Sequence, residues 1–201
     1  MPQTSLEKLL SAIVKTGLFA TLAIPFITLD FLVYPSVNGQ ALIFQVFIEL
    51  LLLFYVPLIL LYPRYRPRIR SKTTIGILVY FGTLFITALF SANSHMSLWS
   101  SLQRSTGIVF MLHILAYYFM LVSVFMDTAF KTPLNPPVVR VEIWFLRALV
   151  AAGAVMAIIV IFQSFNWVMA LRGDTRPYGT LGNSDFLGTY LLFSIYFSLL
   201  L

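Results

Sequence analysis

The sequence has no cysteine, which excludes disulfides and thiolate metal sites and leaves the redox compartment open. It has only two histidines, His95 and His113, too few for a histidine-based metal cluster. No metal and no cofactor is expected. Charge is scarce too: 10% of residues are Asp, Glu, Lys or Arg, against roughly 25% in a soluble domain. What stands in place of charge is apolar: 60% of residues are hydrophobic and the mean hydropathy is +0.92. These residues run in stretches about as long as a bilayer is thick, and in lipid a chain that satisfies its own backbone is a helix or a closed barrel. The fold class expected is all-α, a polytopic transmembrane helix bundle.

Spans are expected at about 13–35, 41–62, 73–90, 107–126, 143–165 and 185–201, six in one transmembrane domain over 1–201. Residues 1–13 read as a short polar start, with Glu7 and Lys8, and Pro25 is expected to kink the first span. That span is too long for a signal-peptide core and is read as uncleaved. The stretch from Tyr34 to Gly39 is a turn. The fifth span carries a small-residue face, Ala148, Ala151, Ala152, Gly153, Ala154 and Ala157, suited to close helix packing. Because the chain stops at Leu201 inside an apolar run, it is expected to be the N-terminal part of a longer protein.

The net charge of +6 follows from where the basic residues sit, and no nucleic-acid partner is expected. Arg64, Arg66, Arg68, Arg70 and Lys72 crowd one connector, which the positive-inside rule makes cytoplasmic. Alternation then puts the N-terminus inside, with Lys8 and Lys15, and also Lys131, Arg140 and Arg147. Of the thirteen basic residues only Arg104, Arg172 and Arg176 fall outside. Membrane lipid is partner enough for the rest.

Those outer arginines carry the chemistry. Arg104-Ser-Thr-Gly107 precedes the fourth span and Arg176-Pro-Tyr-Gly179 the sixth. A basic, Gly-rich loop feeding a helix N-terminus can hold a phosphate: backbone N–H groups point outward, the helix dipole favours an anion, and arginine adds a fork of donors. The competing reading is a loop with helix-capping residues and no ligand. Asp30, Glu49 and His113 add ionisable groups inside the spans, at most about two turns below the outer ends. Such groups line a water-filled cavity or pair with one another or with an arginine such as Arg104.

Three stretches resemble one family, the O-antigen ligase and polymerase-like membrane glycosyltransferases. Residues 34–50, with the Tyr62-Pro-Arg-Tyr-Arg-Pro exit, resemble its first outer turn and second span. Ser97-Leu-Trp-Ser-Ser-Leu-Gln-Arg-Ser-Thr-Gly107 is similar to its S-F-W-G/S-…-R-x-x-G connector. Arg176-Pro-Tyr-Gly-Thr-Leu-Gly-Asn-Ser-Asp-Phe-Leu-Gly-Thr-Tyr190, the most specific, resembles its R-x-x-G-T-x-G-N-x-x-F/Y-L-x-x-Y signature. The chain departs from the family where Gln40 or Gln45 often has a basic counterpart and where Gln103 and Thr106 often have acidic ones.

The resemblance implies glycan transfer on the outer face of the cytoplasmic (inner) membrane, in cell-surface polysaccharide biosynthesis. The donor would be a polyprenyl-diphosphate-linked glycan, and the acceptor a glycan, lipid or protein. Arg176 and then Arg104 would stabilise the leaving diphosphate. Gly179, Gly182 and Asn183 would shape the turn and supply backbone donors, and Asp30, Glu49 and His113 would line the cavity. Family members carry a further half with a large external loop, so the general base is expected outside this segment and the segment alone is expected to be inactive. The alternatives are a transporter or lipid-linked glycan flippase, and a non-catalytic membrane scaffold.

Overall fold

The computed structural model describes residues 4–29, 32, 36–67, 69–101, 106–129, 140–165 and 176–201. Among these residues every regular element is a helix. The order is α1 (Ser5–Ala20), a 3₁₀ segment (Thr21–Phe26), α2 (Val37–Leu61), a 3₁₀ turn (Pro63–Tyr65), α3 (Lys72–Leu89), α4 (Ser94–Trp99), α5 (Ile108–Ala129), α6 (Arg140–Ser164) and α7 (Ser184–Ser198). Among the described residues five helices are long and apolar enough to cross a membrane: Ser5–Phe26, Val37–Leu61, Lys72–Leu89, Ile108–Phe125 and Ile143–Ser164. By length and composition this is a membrane protein. The sixth expected span corresponds to α7, whose 15 residues fall short of the roughly 20 that cross a bilayer.

The first helix starts earlier than its hydropathy suggests. Thr4 caps it, its hydroxyl accepting from the Glu7 N–H at 3.3 Å and meeting the Tyr62 hydroxyl at 2.8 Å. Glu7, placed in the polar start by sequence, is buried there. Its carboxylate pairs with Arg64, which also donates to the Tyr65 hydroxyl at 3.0 Å and lies over the Tyr65 ring. A carboxylate can be buried when its charge is met. Arg64→Ala is therefore expected to lower stability by about 1–2 kcal/mol, less than a fully buried pair because the guanidinium is partly exposed. Glu7→Gln should cost less, as thermal unfolding of the purified protein would show. The first helix also ends earlier than expected: Pro25 does not kink a continuing span but lies in the 3₁₀ segment that closes it.

The chain divides into two compact units. The first comprises Met1–Leu18 and Ala41–Val138. Within it α1 and α2 run antiparallel, since Thr4 meets Tyr62 and Gly17 lies against Leu51. Helices α2 and α5 run parallel along a ladder of contacts. Phe44 packs on Phe110 and Tyr117, Glu49 meets His113, and Tyr55 bonds to the Ser123 hydroxyl at 2.6 Å. Helix α3 packs on α5, with Thr74 and Tyr118 sharing a 2.8 Å hydrogen bond. The connector expected between the third and fourth spans holds the short helix α4, capped by Asn93 and folded onto α3 and α5.

The second unit comprises Phe19–Gln40 and Val139–Leu201. Here α6 packs on the 3₁₀ segment and on α7. Of the small-residue face read from sequence, Gly153 is the buried member that touches α7: a Cβ there would strike the Ser194 side chain. Ala151 and Ala154 point outward. The packed edge of α6 runs instead through Gly153, Met156, Val160 and Gln163, one helical stripe with steps of three and four.

Candidate functional site

The loop ahead of α7 is built by local turn chemistry. Gly179 and Gly182 have φ of +61° and +72°, the left-handed region that only glycine enters without strain. A tight turn closes with the Leu181 N–H donating to the Tyr178 carbonyl at 3.2 Å. Asn183, extended at φ −150°, caps α7 by accepting from the Asp185 N–H at 2.8 Å. Space also requires glycine: a Cβ at Gly179 would lie 2.7 Å from the Met156 sulfur, and one at Gly182 would lie 2.7 Å from Ser36 Cβ.

Three tethers hold the loop inside its unit. Gln163 of α6 grips Gly179 from both sides, accepting from its N–H at 2.8 Å and donating to its carbonyl at 2.9 Å. The Pro25 carbonyl accepts from the Gln40 amide at 2.8 Å and the Thr180 hydroxyl at 2.6 Å. Gln40 also donates to the Thr180 carbonyl at 3.0 Å. A carbonyl at the end of a 3₁₀ segment has no partner within it, and here a residue from the start of α2 and one from the loop both supply it. The Tyr178 side chain is packed inside at 3% exposure, and its hydroxyl has no hydrogen-bond partner among the described residues.

The Gly179 N–H is thus engaged by Gln163: this glycine shapes the turn and does not offer the backbone donor expected of it. The Asn183 side chain is a helix cap. What the loop leaves unspent is different. Gly182 and Ser184 N–H have no hydrogen-bond partner among the described residues. Arg176 is exposed, again with no hydrogen-bond or ion-pair partner among them. Asp185 stands exposed in the first turn of α7 and already offers negative charge to the positive helix end. Attraction of an anion to this loop would therefore depend on Arg176 more than on the dipole.

Of the other residues singled out by sequence, Asp30, Arg104 and Arg172 lie outside the described residues. Glu49 and His113 are brought together: His113 Nε2 lies 3.1 Å from Glu49 Oε1. Among the described residues Glu49 is thus partnered by a histidine. Sequence reasoning missed Gln163, Thr180 and Gln40 as tethers. The available signal was weak: Gln163 is a lone amide in an apolar helix, and polar side chains in such helices tend to bond across helices.

Compared with protein-family models, with curated proteins and with solved structures, the chain finds no match in any of the three.

Proposed function

We propose that this chain is the donor-binding part of a membrane glycosyltransferase. It would transfer a glycan from a polyprenyl diphosphate to an acceptor on the outer face of the cytoplasmic membrane. The acceptor hydroxyl or amine attacks the anomeric carbon, the glycosidic bond to the diphosphate breaks, and lipid diphosphate leaves. The chemical need is for positive charge at the leaving diphosphate, held in place before the bond breaks. Arginine meets it with a planar fork of donors that matches phosphate oxygens.

The observation that carries this reading is the contrast within one loop. Thr180, Gly179 and Asn183 are tied to α6, to Pro25 and to α7, while Arg176 stays exposed and unpartnered among the described residues. A helix cap alone uses Asn183 and the glycines and leaves Arg176 without a task. The two stretches that resemble the ligase family at residues 34–50 and 176–190 also meet, through Gln40 and Thr180.

The test is complementation with the full-length gene, scoring surface glycan on a gel and protein level in the membrane. Arg176→Ala is expected to lower transfer on the order of 10²-fold, the usual cost of removing one preorganised donor, with normal accumulation. Arg176→Lys should rescue poorly, since a point charge lacks the fork. Normal transfer by both variants would leave the loop as a helix cap only.

A further inference from the structure

We infer that Glu49 and His113 together hold one proton within the membrane-spanning part of the first unit, as a shared-proton pair that links α2 to α5. The donors and acceptors around His113 require it, whether or not the protein transfers glycan. His113 Nδ1 lies 2.7 Å from the Val109 carbonyl oxygen. A carbonyl only accepts, so Nδ1 carries a hydrogen. In a neutral imidazole Nε2 is then a bare lone pair. It faces Glu49 Oε1 at 3.1 Å, and an ionised carboxylate has only lone pairs to offer as well. The contact is a hydrogen bond only if one more proton sits between them, on Nε2 as imidazolium or on Oε1 as carboxylic acid. Either way the pair is neutral overall.

The surroundings favour that neutral state. Glu49 is the thirteenth residue of α2, whose bounds are Val37–Leu61, so it sits midway along an apolar helix, where an uncompensated carboxylate is costly. The contacts on either side, Phe44 with Tyr117 and Tyr55 with Ser123, keep α2 and α5 in register. The other titratable groups described on α2, α5 and the elements packed against α5 are engaged elsewhere or exposed. Tyr55 bonds Ser123, Tyr117 packs on Phe44, Tyr118 bonds Thr74, Arg64 pairs with Glu7 and Tyr65 accepts from Arg64, while Lys72, Tyr80 and His95 are exposed.

The His113 side chain is 12% exposed and that of Glu49 65% among the described residues. When the pair gives up its proton to a base, Glu49 is left as carboxylate and His113 as neutral imidazole. The two lone pairs then repel, and α2 loses this link to α5. Proton occupancy and the α2–α5 contact are therefore coupled.

The test uses the full-length protein in lipid nanodiscs at neutral pH. ¹⁵N-labelled histidine gives signals from His113 and His95, told apart by their loss in H113Q and H95Q. Isotope-edited infrared spectra of labelled glutamate report the Glu49 carboxyl, assigned by its loss in E49Q. The expected wild-type result is one of two: His113 protonated on both nitrogens, or His113 protonated on Nδ1 with a Glu49 carboxylic-acid band. In E49Q the amide N–H can donate to Nε2, so His113 should be neutral with its hydrogen on Nδ1, and the pair should hold one proton fewer. A neutral His113 beside an ionised Glu49 in the wild type, with the hydrogen on either nitrogen, would overturn the proposal. So would an unchanged proton count in a folded E49Q. The wild-type spectra decide the matter even if E49Q does not fold.

Discussion

Replacing Gln163 by Leu should destabilise the protein by roughly 2–6 kcal/mol and should abolish the organisation of the 176–183 loop. The estimate follows from what the amide does. It accepts from the Gly179 N–H and donates to the Gly179 carbonyl, at 2.8 and 2.9 Å, in a setting where both Gln163 and Gly179 are buried. Leucine has similar bulk and no polar atoms, so two buried backbone groups lose their partners at once. Each such group costs about 1–3 kcal/mol. Gln163→Glu separates the two bonds: its carboxylate still accepts from the Gly179 N–H but places an acceptor against the carbonyl. It should fall between wild type and Leu. Thermal unfolding in detergent measures the stability. Protease sensitivity of the 176–183 loop reports its release, and a loop as protected in Gln163→Leu as in wild type would contradict the assignment.

A second large effect is expected at Gly107, for a reason unlike that at Gly179. The Gly107 φ is not positive. Its hydrogen instead faces the backbone at the end of α4: a Cβ would collide with the Leu98 carbonyl oxygen and crowd the Leu98 and Trp99 carbonyl carbons. A flexible side chain could yield, but this backbone can yield only if α4 moves away from α5. Gly107→Ala should therefore cost about 1–3 kcal/mol, the range for overpacking a filled site. Gly76→Ala is the control. Nothing lies within 4 Å of a Cβ at Gly76, and inside α3 alanine is the better helix former, so stability should be unchanged or slightly raised. If both substitutions cost the same, the close approach at Gly107 is not what its glycine serves.

These two positions show where sequence reasoning reaches and where it stops. Arg104-Ser-Thr-Gly107 and Arg176-Pro-Tyr-Gly179 look like one pattern twice. In the structure one glycine answers a tertiary approach and the other a left-handed turn. The turn was legible, because glycine and asparagine ahead of an apolar run specify a left-handed bend and a helix cap by local chemistry alone. The long helices were legible for a similar reason: unbroken apolar runs leave few alternatives. The start of α1 was not, because the residue that neutralises Glu7 is Arg64, on the far side of α2. Nor was the grip of Gln163 on Gly179, which exists only because α6 and α7 pack antiparallel. Helix α4 was read as a connector because its six residues are too few to show a period. The pairing of Glu49 with His113 was among the options for ionisable groups inside the spans, but only the parallel packing of α2 on α5 selects it.

The reading of the loop as a diphosphate site turns on one side chain, so the most direct measurement is binding. Purified full-length protein would be titrated with a polyprenyl diphosphate, with inorganic diphosphate as competitor, for wild type, Arg176→Ala and Arg176→Lys. A charge-assisted contact contributes about 1.5–3 kcal/mol, so the Ala variant should bind tenfold or more weakly at unchanged thermal stability. Lys should recover part of the loss, and inorganic diphosphate should compete against wild type. Equal affinity in all three proteins would contradict the account, and Arg176 would then be an exposed charge on a helix-capping loop.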